Sequence, residues 1–170
     1  NSLSNMERQM VFVKQFEEET NLKAHVLLDC SGSMAYSSQG MSKFQYAAHL
    51  SAALSYLMMK QRDAVGLVTF DQEIQRYLPP RSVATYLPRI LAELENTQVS
   101  STTNIAETLH EIAERIKRRG LIILFSDLFD ENIDAVLSGL KHFRHKNHEV
   151  IVFQVLDPME SSFAFADDMI

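Results

Sequence analysis

Ala24-His25-Val26-Leu27-Leu28-Asp29-Cys30-Ser31-Gly32-Ser33-Met34 is the stretch from which the fold of this chain follows. Its first five residues are apolar apart from His25, and they lead into a carboxylate and two hydroxyls. That is the pattern of a buried parallel strand whose last residue and following loop present oxygens at the C-terminal edge of a sheet. The spacing D-x-S-x-S lets one turn gather Asp29, Ser31 and Ser33 around a point, and Gly32 frees the backbone where it must bend. Oxygen donors alone favour a hard cation. Ser and Asp also cap helices without any metal, so this motif by itself leaves both readings open.

Downstream, Lys43 to Lys60 is apolar around most of its circumference and is expected to be the main helix on the sheet, covered on nearly all sides. Asp63 to Asp71 predicts a second buried strand. Ile74 to Leu78 predicts a short strand paired with it across Asp71-Gln72-Glu73 and ended by Pro79-Pro80. Val83, Leu87, Ile90, Leu91 and Leu94 recur at helical spacing, and Pro88 among them implies a break or a late start. After the polar loop Val99 to Asn104, Ile105, Leu109, Ile112, Ala113 and Ile116 mark one face of a helix. Its acids lie early and its bases late, and Gly120 is the expected stop. Leu121 to Phe125 is a continuous apolar strand ending in Ser126-Asp127. A helix over about Ile133 to Phe143 follows, and Glu149 to Leu156 supplies the last strand. Upstream, Met10 to Phe16 has the β-branched and aromatic content of a further strand.

Strands alternating with helices predict an α/β fold. The expected form is a doubly wound, mostly parallel six-stranded sheet with one antiparallel edge strand and helices on both faces. In such a sheet the ligand site lies where neighbouring strands send their crossovers to opposite faces. Asp29 and Asp127 each close an apolar strand, so if those strands are neighbours the two carboxylates converge, with the Ser101 to Asn104 loop at the same edge.

The 170 residues, 46% hydrophobic and 22% charged, are enough for one well-filled core. A formal net charge of −6 argues against nucleic acid or an anionic membrane as the main partner. No stretch approaches the length and apolarity of a membrane span, and the single cysteine, Cys30, fits a reducing compartment; the expectation is a soluble, cytoplasmic protein. No Gly-rich phosphate loop is present. His142, His145 and His148 fall three apart but straddle a helix end and a strand start, so they are expected to form a solvated basic turn rather than a zinc site.

Asp29-x-Ser31-x-Ser33-Met34 after a first strand, Thr103-Asn104-Ile105 at the start of a helix, and Ser126-Asp127 after a buried strand together resemble the metal-ion-dependent adhesion site of von Willebrand factor type A domains. The resemblance puts Asp29, Ser31, Ser33, Thr103 and Asp127 in the ligand positions, with Thr102 as a competitor of Thr103. It implies Mg²⁺ or Mn²⁺ held partly through water, with one coordination position open for an acidic side chain of a partner. More closely, Lys14 to Leu22, Gln61 to Leu67 and Val150 to Pro158 are similar to the bacterial domain-of-unknown-function family fifty-eight. That likeness implies an adaptor beside a MoxR-type AAA+ ATPase. It further implies a fragment of a longer protein, with a type A-like domain over 23–157, an arm over 1–22 and a truncated tail over 158–170.

The loops after Ser33, Thr103 and Asp127 carry Met34, Tyr36, Met41, Leu128 and Phe129, the composition of an interaction rim, although Leu128 and Phe129 equally suit the core. The alternative is a metal-dependent phosphoester hydrolase using Asp29 and Asp127. Against it, no histidine base accompanies the motif, and Ser31 stands where an aspartate-nucleophile phosphatase has its second aspartate.

Overall fold

The computed structural model describes residues 22–167. Five strands form one sheet in the order β3-β2-β1-β4-β5: β1 Lys23–Asp29, β2 Ala64–Phe70, β3 Ile74–Arg81, β4 Leu121–Ser126 and β5 Glu149–Gln154. β1 lies parallel between β2 and β4, β5 runs parallel to β4, and β3 is antiparallel to β2. The sixth expected strand, Met10 to Phe16, and the arm over 1–21 lie outside the described residues.

Helices cover both faces because side chains alternate along buried strands. Val26 and Leu28 of β1 pack with Leu67, Phe125, Phe44 and Ile90 on one side, under α1 Lys43–Lys60 and α2 Tyr86–Asn96. Leu27 packs with Val68, Leu124, Leu109 and Phe143 on the other, under α3 Ala106–Arg115 and α4 Ile133–His145. A helix α5, Pro158–Asp167, follows β5 where the sequence suggested only a tail. α1 begins in a capping box, with Ser42 Oγ accepting from the Gln45 amide and Gln45 Oε1 accepting from the Ser42 amide.

Three expectations are corrected, and the choice left open at Pro88 is decided. β3 continues through Pro79-Pro80 to Arg81, which an outermost strand allows because a proline there need sacrifice no ladder hydrogen bond. Pro88 falls in the first turn of α2, the late start, where its missing N–H costs nothing. α3 ends at Arg115, and Gly120 instead opens the way for Lys23, whose carbonyl oxygen lies 2.5 Å from where a Cβ would stand. α1 is not covered on nearly all sides: Tyr46, Tyr56 and Leu57 are about half exposed on its outer face.

Candidate metal centre

β1 sends its crossover through α1 to β2, and β4 sends its own through α4 to β5, so the two neighbours diverge and leave a crevice beyond their C-terminal ends. Leu28 pairs with Phe125, which sets Asp29 opposite Ser126 and places Asp127 just beyond. Asp29 is fully buried; its Oδ1 accepts from the Ser31 amide at 2.8 Å and its Oδ2 from Ser126 Oγ at 2.6 Å. Burial pushes the Asp29 carboxyl up to about 6, against the bonds from Ser126 and Ser31 and with a small push from the like charge of Asp127.

Ser31 Oγ and Ser33 Oγ are buried with no hydrogen-bond partner. A buried hydroxyl without a partner is costly, and two of them beside a buried carboxylate match the oxygen set a hard dication takes. Among the described residues no three His, Cys, Asp or Glu side chains converge to hold a metal, so hydroxyls have to complete any cation's shell here. The residues present therefore fit Mg²⁺ or Mn²⁺.

The loop carrying these serines is stitched to the loop between α2 and α3 by Ser100 N to Cys30 O at 2.9 Å and Gly32 N to Thr102 O at 2.6 Å. Gly32 eases that approach, because a Cβ would sit 3.1 Å from the Ser101 carbonyl carbon and push the loop back by a few tenths of an ångström. Thr102 is half-buried with its hydroxyl 3.2 Å from Ser100 Oγ, and Thr103 is exposed beside it. Cys30 donates its Sγ–H to Phe70 O, and burial pushes its thiol up to about 12, a neutral core residue.

Asp127 is buried, with Oδ1 accepting from the Phe129 amide at 3.0 Å and Oδ2 from Lys43 Nζ at 2.9 Å. The turn is tight enough to hold Leu128 at a φ of 56°, in the left-handed region. Asp130 accepts from the Ile105 amide at the start of α3 and from the Asn132 amide, while Asn132 itself caps α4.

Of the expected rim, Tyr36, Met41 and Phe129 are exposed. Met34 is fully buried in the core beneath α1, because its short 3-10 turn, Gly32–Ala35, points it inward, and Leu128 is half-buried against the α3–α4 side. The three histidines do not share a turn either. His142 bonds His110 and Glu114 across α3 and α4, while His148 is buried and its Nδ1 accepts from the Gly120 amide.

Sequence reasoning missed Lys43, Asp157 and Glu160. Lys43 Nζ, buried, donates to Asp127 and to both oxygens of Glu160, at 2.8 and 3.0 Å. Burial alone would lower its pKa, but the bonds from Glu160 and Asp127 hold it above the usual lysine value. Asp157 accepts from the Ser38 amide and hydroxyl, fastening α5 to the loop before α1. Two signals were available. A cation opening a helix opposes the dipole unless it is paired. Asp157-Pro158-Met159-Glu160 is a capping sequence with proline at the first helical position, and Glu160 does accept from the Asp157 amide.

The model of the family described as protein of unknown function DUF58 matches residues 6–167. An aerotolerance-related membrane protein from Bacteroides fragilis NCTC 9343 is similar in structure, with a TM-score of 0.65 and 19% identity over 79% of this chain and 68% of that one. BatB, a conserved hypothetical protein from Bacteroides thetaiotaomicron, gives 0.61 and 21% over 78% of this chain and 65% of that one. This chain thus spans about two thirds of either relative, and the likeness is one of fold. No curated protein matches it.

Proposed function

This chain belongs to the DUF58 family and has a von Willebrand factor type A-like fold, and we propose that it is a metal-dependent protein-interaction module. The observation that carries this reading is the pair of partnerless buried hydroxyls, Ser31 and Ser33, beside buried Asp29. In it Asp29, Ser31, Ser33, Thr103 and Asp127 hold Mg²⁺ or Mn²⁺, and the bound ion supplies an open position for a partner's carboxylate. Both oxygens of Asp127 are already engaged, which suits a role through water. Tyr36, Met41 and Phe129 supply the exposed apolar rim around that charged centre, since one metal–carboxylate contact gives no selectivity. The partner, following the family resemblance, is a MoxR-type AAA+ ATPase met in the cytoplasm through an acidic residue.

Titration calorimetry with Mg²⁺ and Mn²⁺ should give binding to wild type and none to Asp29→Ala; equal binding by both would sink the reading. Thr103→Val should weaken the ion more than Thr102→Val does, and the reverse order would move the ligand role to Thr102. Partner capture should need the ion and weaken in Phe129→Ala. Capture that survives both chelator and Asp29→Ala would place docking on another face. No Mg²⁺-dependent phosphoester turnover is expected, and turnover lost in Asp29→Ala would favour the hydrolase.

A further inference from the structure

Lys43 is out of place by every local rule: a cation in the first turn of a helix, with a side chain only 3% exposed. Its ammonium is held by two carboxylates from distant parts of the chain, Asp127 at 2.9 Å and Glu160 at 2.8 Å. Asp127 has its second oxygen on the Phe129 amide, so Lys43 is the one charged group that neutralises it among the hydrogen bonds of the described residues. Glu160 is the counterweight, with a third of its side chain exposed and a further bond to the Asp157 amide. Lys43 thus stands between Asp127, the carboxylate next to Asp29, and Glu160 on its other side.

We propose that Lys43 is a built-in cation that sets how tightly this site takes a divalent ion, and that Glu160, reaching in from α5, is the balancing charge. The inference rests on the metal site proposed above and adds residues that the sequence motif does not contain. Charge alone then predicts an order. Removing Lys43's charge leaves the site more negative and favours a dication; removing Glu160's leaves it less negative and disfavours one; removing both restores the balance.

The test is a double-mutant cycle on the full chain, with Mn²⁺ alone as probe, calorimetric affinity as one readout and the melting temperature of the metal-free protein as the other. Lys43→Gln should bind about tenfold more tightly than wild type and Glu160→Gln about tenfold more weakly. The double variant should return to within about threefold of wild type. A merely structural clasp makes a different pattern, because both single variants would loosen the loops and both would bind more weakly; that outcome, or no change in any variant, overturns the proposal. Should Lys43→Gln not fold, Glu160→Gln and the double variant decide it, since recovery of affinity in the double relative to Glu160→Gln is expected only from charge balance. If wild type binds Mn²⁺ no better than Asp29→Ala, the metal site itself fails. If Asp29→Ala alone abolishes binding and the order is absent, only the role of Lys43 fails.

Discussion

His25 is the third residue of β1, 5% exposed, with Nδ1 lacking a hydrogen-bond partner. Burial first, and then the neighbouring charges of His148 and Lys23, push its imidazole from an ordinary 6.5 down to about 4. The unfolded chain takes up that proton near 6.5 and the folded chain resists it until about 4, so this residue makes stability fall as pH falls through the window. The loss is about 2 kcal/mol by pH 5. Asp29 acts in the opposite sense: its acid is raised to about 6 in the folded protein, so the metal-free fold is favoured as pH falls from about 6 toward 3.8. Urea unfolding of wild type and His25→Leu at pH 7 and pH 5 separates the two. The difference between the proteins should shift by about 2 kcal/mol toward the variant at pH 5. An unchanged difference would mean that His25 does not carry the acid sensitivity.

The β2–β3 hairpin shows how an element can depend on one missing side chain. A Cβ on Gly66 would stand 2.5 Å from the Leu78 carbonyl oxygen and 2.8 Å from Pro80 N, at the register shift between Val65 and Leu67. No flexible side-chain end is available to yield there, so the strands themselves must separate. Gly66→Ala should cost about 1–3 kcal/mol and lower Tm by roughly 5 °C in a thermal melt; an unchanged Tm would show that the bulge absorbs the methyl group. The two outer strands of the sheet are also built differently. β3 carries Pro79, Pro80, Arg76 and Arg81, which discourage further pairing, while β5 leaves Ile151, Val152 and Phe153 partly exposed.

Two apolar clusters, one on each face of the sheet, are built from side chains of the strands and of the helices that cover them. The fold should therefore survive chelation. Far-UV circular dichroism should be the same with Mg²⁺ and with EDTA. The ion should raise stability only by what binding linkage gives, about 3 kcal/mol at a hundredfold excess over Kd. Loss of the helical signal on chelation would make the ion a folding cofactor rather than a docking device. Among the described residues no helix is long and apolar enough to cross a membrane.

Much of the molecule was legible in the chain because it rests on local chemistry. The strand ending at Asp29, the strand ending at Ser126-Asp127 and the helix from Lys43 to Lys60 follow from hydrophobic periodicity and from caps a few residues away. The parallel arrangement follows from their alternation. Other features were decided only by packing between distant segments. Lys43 is locally only a cation at a helix start, and its partners are set when Glu160, 117 residues later, is brought against it; Met34 belongs to a rim or to a core according to which way one short turn points. Pro79-Pro80 ends a strand by local preference and is tolerated by an edge that only the sheet order creates. That Asp29, Ser31 and Ser33 share one short loop after β1 could be read from spacing, because only a few residues separate them. The pairing of Lys43 with Asp127 and Glu160 could not be read that way, because an ion pair between distant segments is defined by tertiary contacts alone.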